Sequence, residues 1–152
     1  MIVLLSIKPE FAYKIFDGTK RYEFRRNIFK RKDIRKILVY ASSPVQRIIG
    51  EFEISTILHD DVERLWNVTK HEAGISKELY NQYFENKNKA FAIKIGSTTL
   101  YDTPISLSDI NVDYAPQSFF YLTSEMNFSR FFRIDEKRQS TIGEILLSTF
   151  KR

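Results

Sequence analysis

The chain has 152 residues, 43% of them hydrophobic and 28% charged, which fits one folded domain and excludes a disordered polymer. It has no cysteine, which excludes a disulfide scaffold, a thiolate metal site and a cysteine nucleophile. The net charge of +5 is unevenly spread: residues 1–47 carry twelve Lys and Arg against four Asp and Glu, residues 48–152 twelve against fifteen. A basic first third points to a polyanion partner, the plainer alternative being a solvated basic surface. No apolar run approaches the roughly 18 residues needed to span a bilayer. The apolar start meets Lys8 with no small-residue cleavage site, so a first strand and a cytoplasmic, membrane-free protein are expected.

Residues 2–6 read as a strand. Pro9 suits the first helical position, Phe11, Ala12, Ile15 and Phe16 repeat at helical spacing, and Gly18 stops that helix. Residues 21–25 alternate, with Tyr22 and Phe24 on one face and Arg21, Glu23 and Arg25 on the other, the pattern of a half-buried strand with a charged face. Residues 27–35 form a basic connection, residues 36–41 a strand and residues 42–44 a turn. Residues 47–58 make a long strand, with Phe52, Ile54, Thr56 and Leu58 on one face. A helix is expected over 60–69, with Asp60 and Glu63 as its capping box and Val62, Leu65 and Trp66 inward. Another starts at Ser76 and buries Leu79, Tyr80, Tyr83 and Phe84. Residues 90–95 and 98–107 are expected to pair across a turn at Gly96–Ser97, and a last strand lies near 118–122. After Thr123 the chain turns mixed and charged. There Thr141 and Glu144 form a second capping-box pattern ahead of an amphipathic stretch, read as a docked helix or partner-binding segment.

The richest stretch for chemistry is Gly18-Thr19-Lys20-Arg21-Tyr22-Glu23-Phe24-Arg25-Arg26. A cation, a carboxylate and a guanidinium on one strand face can hold a phosphate or read a base edge, although cross-strand ion pairs on an exposed strand have the same spacing. Ser6 and Lys8 precede a helix N-terminus, which attracts anions or simply caps the helix. The two histidines, His59 and His71, flank a helix twelve residues apart and make a weak metal signature, so no metal and no cofactor is expected. Phe119, Phe120 and Tyr121 could stack bases, but alternation keeps all three from lining one cleft.

Ser6-x-x-Pro9, Ile15 and Gly18-x-Lys20-x-x-Glu23-x-Arg25 together resemble the signature of the ASCH domain, a branch of the PUA-like superfamily. Val39-Tyr40-Ala41-Ser42-Ser43-Pro44 running into Gly50-Glu51-Phe52, and Pro116-Gln117-Ser118-Phe119, agree with it in order. The resemblance covers residues 1–122 and leaves 123–152 as a C-terminal extension, expected to be helical and docked. It implies an α+β fold: a small PUA-like mixed or antiparallel β-barrel with helices inserted between strands and a C-terminal helical tail. It further implies a cleft lined by the Gly-x-Lys strand and a role with RNA or modified nucleotides. Lys20, Glu23 and Arg25 carry over by motif, and Ser6, Lys8, Ser43, Gln117 and Ser118 as cleft residues.

The first expectation is therefore a binding module, RNA favoured, with Lys8, Lys20, Arg25 and Arg26 on phosphate and Glu23 and Gln117 on a base edge. Residues 30–32 would extend its electrostatic footprint. The second is an enzyme, a hydrolase on modified nucleosides or a ribonuclease, with Lys20 as base and Glu23 as its partner. A related amidohydrolase branch uses Lys, Thr and Glu. This chain keeps Lys20, has Glu23 where that branch has Thr, and offers Glu72 only as a loosely placed second acid. The third is a transcription-regulator-type interaction module acting through the tail. Oligomeric state is left open.

Overall fold

The computed structural model describes residues 1–122; the expectations for residues 123–152, including the second capping box and the docked helix, lie outside the described residues. Six strands form one sheet in the order β2-β5-β4-β3-β1-β6. They are β1 (Ile2–Ile7), β2 (Tyr22–Arg25), β3 (Lys36–Ala41), β4 (Arg47–Asp61), β5 (Lys89–Ile105) and β6 (Phe119–Leu122). Helix α1 (Pro9–Asp17) links β1 to β2, while α2 (Val62–Thr69) and α3 (Lys77–Tyr83) sit between β4 and β5. β1 and β3 pair in parallel and the other pairs are antiparallel.

The expected barrel is corrected here. The backbone ladder does not close, and β2 and β6 remain as edges. The sheet curls until β2 faces the end of β1, and a side chain spans the gap: the Arg25 guanidinium donates to the Ser6 carbonyl oxygen (3.4 Å) and to Ser118 Oγ. Backbone closure would fill that gap with ladder hydrogen bonds. Leaving it open makes a cleft.

The helix signals at Pro9 and Gly18 hold. Pro9 occupies the first turn of α1, and Gly18 ends it in the left-handed conformation (φ 87°). Ala12 and Ile15 enter the main core with Val3, Leu5, Ile37, Val39, Phe52 and Ile93. Gly50 admits the helix: a β-carbon there would stand 2.5 Å from Phe16 Cζ and from the Thr99 carbonyl oxygen. Tyr22 and Phe24 pack in a separate cluster with Trp66, Tyr80 and Phe84 of the α2–α3 layer.

The middle of the chain departs from expectation in three places. Gly96–Ser97 is no turn, because β5 runs through it from Lys89 to Ile105 and pairs with β4 along most of its length. Gly96 is needed for close approach instead, since a β-carbon would lie 3.0 Å from the Glu53 carbonyl oxygen. Irregularities between Phe52 and Ile54 and between Ile54 and Thr56 break the alternation of β4, so that Ile57 packs on the main core and Leu58 on the α2–α3 cluster. Because β4 continues to Asp61, that residue and not Asp60 caps α2, accepting from the Glu63 and Arg64 amides, while Asp60 pairs with Arg64 (3.2 Å).

The opposite face of β1 and β3 is also buried, through Ile2, Leu4, Leu38 and Tyr40 with Tyr101, Ile105 and Ile110. Glu51 is buried near Tyr101, and neither its Oε1 nor the Tyr101 hydroxyl completes a hydrogen bond. Burial pushes the Glu51 carboxyl up to about 7, against the pull of Lys36. An unfolded chain releases that proton near the ordinary value of 4.5, so stability falls as pH rises from there through 7. Glu51→Gln should therefore stabilise the protein at pH 8 by ~2–3 kcal/mol and change little at pH 4. Urea unfolding of both proteins at the two pH values checks it, and an equal effect at both contradicts it.

Candidate functional site

The pleat of β2 sets the site. Tyr22 and Phe24 are taken by the α2–α3 cluster, so Glu23 and Arg25 point to the other face. That face is not the solvated side of a half-buried strand: Glu23 is 7% and Arg25 9% exposed. Lys20, where the chain leaves α1, is 2% exposed. Three charged side chains are thus withdrawn from water within six residues of chain.

Local contacts explain how Lys20 is held inward. Asp17 Oδ1 accepts from the Thr19 amide (2.8 Å) and hydroxyl (2.6 Å), and the Lys20 amide donates to the Lys14 carbonyl oxygen (3.0 Å). The ammonium donates to the Ala73 carbonyl oxygen (2.9 Å) and lies over the rings of Phe24 (4.8 Å) and Phe11 (5.5 Å). The Arg21 amide binds the Glu72 carbonyl oxygen (2.8 Å), fastening the same loop to the start of β2. Gly74 makes that approach possible. It has φ 63°, and a β-carbon would meet Lys20 Cβ at 2.4 Å.

Glu23 Oε1 stands 3.8 Å from Arg25 Nη1, whereas Glu23 Oε2 and Arg25 Nε are buried without a hydrogen-bond partner. Burial holds the Lys20 amine below the usual lysine range, opposed by the charge of Glu23. Burial lifts the Glu23 carboxyl, opposed by Lys20 and Arg25. The amine is thus moved down and the carboxyl up, each by burial.

A cleft of about 780 Å³ opens over this group. One side is β2. Ser6, Lys8 and Phe11 with Gln117 and Ser118 face it, and Leu79, Gln82 and Tyr83 of α3 complete the wall. Lys8, Arg26 and Lys87 are exposed cations of its lining, and the Arg26 guanidinium stacks on the Tyr83 ring at 4.6 Å.

Eight of the nine residues read as candidates border this one cleft: Ser6, Lys8, Lys20, Glu23, Arg25, Arg26, Gln117 and Ser118. Ser43 does not. It is exposed in the turn after β3, and Ser42 lines the cleft in its stead. Glu72 is exposed and absent from the lining, as are residues 30–32. Phe119 and Tyr121 pack on the main core and Phe120 on the opposite cluster. His59 stacks on Phe91 (4.1 Å), and no group of three or more His, Asp or Glu able to hold a metal occurs among the described residues. The sequence reading missed the cleft roles of Phe11, Leu79 and Tyr83. It assigned all three to helix core, and the exposure of Leu79 (43%) is what separates cleft wall from core.

Comparison with known proteins agrees with this fold. The family model for the ASCH domain matches residues 5–99. Part of the large ribosomal subunit protein uL22 of Ureaplasma parvum serovar 3 is 28% identical over 120 residues, covering 79% of this chain; the chain spans only 39% of that relative's length. The ASCH domain-containing ribonuclease of Zymomonas mobilis is 35% identical over 126 residues, 80% of this chain and 84% of that protein. The crystal structure of ASCH from Zymomonas mobilis superposes with a TM-score of 0.78 at 32% identity, covering 88% of this chain and 94% of that one.

Proposed function

The chain belongs to the ASCH domain family, and on that premise we propose that it binds single-stranded RNA in the cleft and cleaves it. One observation carries the reading: Lys20, Glu23 and Arg25 are buried together against a cleft of about 780 Å³, with Glu23 Oε2 and Arg25 Nε left without hydrogen-bond partners. Burying three ionisable groups is costly, and their usual justification is a function that needs them dry. The similarity to a protein named as a ribonuclease supports RNA as the ligand class, as does the similarity to part of a ribosomal protein.

Single strands are favoured on steric grounds. A base inside a duplex cannot reach carboxyl and amine groups that are 7% and 2% exposed, whereas an unpaired nucleotide can enter. Phosphates on either side would meet Lys8, Arg26 and Lys87. The Arg26–Tyr83 pair offers a flat surface for a neighbouring base.

The test uses an end-labelled RNA oligonucleotide, its DNA counterpart and the RNA duplex, each with and without a divalent cation. The single-stranded RNA is expected to be cut and the duplex spared. Three phosphate contacts at ~0.7 each give log affinity against log salt a slope of about −2. Equal cutting of duplex, or an affinity indifferent to salt, contradicts the reading. Binding without turnover would leave a recognition module in its place.

A further inference from the structure

We infer that the strand is cut by its own 2′-hydroxyl, with Glu23 Oε2 taking the hydroxyl proton, Lys20 protonating the departing 5′-oxygen and Arg25 holding the phosphate. The inference rests on the RNA-cleavage reading above and specifies its chemistry.

Unused hydrogen-bonding capacity in the cleft is its ground. Glu23 Oε2 is a buried acceptor with no partner, and a ligand hydroxyl is the kind of group that completes it. Lys20 has three ammonium protons, and its hydrogen bond to protein goes to the Ala73 carbonyl oxygen, so donors remain for a ligand. Arg25 Nε is a buried donor with no partner, on a guanidinium already fixed by Ser6 and Ser118. The cleft thus presents a free acceptor, free ammonium donors and a fixed cation. That is the complement needed when the nucleophile arrives as part of the substrate. An internal nucleophile also needs no separately positioned water and gains the large effective concentration of an intramolecular attack.

The step balances without a co-reactant. A bond forms between the 2′-oxygen and phosphorus, and the bond from phosphorus to the 5′-oxygen breaks. The 2′-proton passes to Glu23 and a Lys20 proton to the 5′-oxygen. The products are a 2′,3′-cyclic phosphate and a 5′-hydroxyl. Exchange with solvent then returns a proton to Lys20 and removes one from Glu23.

The test maps a cut site on an all-RNA oligonucleotide and then removes the single 2′-hydroxyl on its 5′ side. Cutting at that linkage is expected to fall at least about a hundredfold while other sites are unaffected, with first-turnover fragments lighter by one water than a linear phosphate. Undiminished cutting of the deoxy linkage, or first-turnover products carrying oxygen from isotopically labelled water, overturns the inference while sparing the RNA-cleavage reading. No cutting of the all-RNA strand overturns both.

Discussion

Arg25→Met is expected to destabilise the protein by ~3–5 kcal/mol, measured by urea unfolding, because it removes one partner of a buried charge pair and leaves Lys20 as the remaining cation acting on Glu23. Arg25 is 9% exposed and Glu23 7%. The arginine also supplies the hydrogen bonds that tie edge strand β2 to Ser6 and Ser118 across the unclosed sheet. Its loss therefore acts twice, on charge compensation and on the seam of the fold. The two contributions separate in a double variant. Adding Glu23→Gln removes the carboxylate and is expected to recover at least ~1–2 kcal/mol, since that change relieves a desolvated charge. Additive losses in the double variant would mean that Arg25 acts on the seam alone. A loss below 1 kcal/mol for Arg25→Met would mean that the seam is held elsewhere.

This dependence on one side chain also shapes the cleft. A sheet closed by backbone pairing would leave no room between β2 and β1, and a freely open one would leave Glu23 and Lys20 in water. Closure by a guanidinium does neither, giving a gap lined by charge and narrow enough to keep Lys20 2% exposed. The apolar α2–α3 layer does the rest by claiming Tyr22 and Phe24, which fixes the pleat and so the direction of Glu23 and Arg25.

Signals that act within a few residues were legible in the sequence. Pro9 and Gly18 bound α1, the alternation of residues 22–25 gives β2 and its two faces, and Ser76 caps α3 by accepting from the Leu79 amide. The motif around Lys20 falls on the wall of the cleft. What the sequence did not carry was long-range. Alternation shows that Glu23 and Arg25 share a face, but not whether that face meets solvent or a hollow. That depends on Ser118, 93 residues away in the chain, accepting from Arg25. Gly96 carries a turn signal in sequence because glycine serves both turns and close backbone approach, and only the pairing of β5 with β4 distinguishes them. Asp60 and Asp61 are equivalent caps by composition, and the length of β4 selects the second. Gly74 followed no motif, because the side chain it makes room for, Lys20, comes from another part of the chain.

The central claim is that the buried lysine lies where RNA is cut, and Lys20→Met tests it most directly. Methionine has nearly the length of the lysine stem and suits a slot between two rings, so the fold should tolerate it; the relief of a desolvated charge offsets the hydrogen bond lost to the Ala73 carbonyl oxygen. With the acid gone, single-turnover cleavage of a single-stranded RNA is expected to fall about 10²- to 10⁴-fold. Binding of the same strand made uncleavable by 2′-O-methylation should weaken by less than about tenfold, because Lys8, Arg26 and Lys87 still meet the phosphates. A folded Lys20→Met protein that cuts RNA at the unaltered rate would contradict the account.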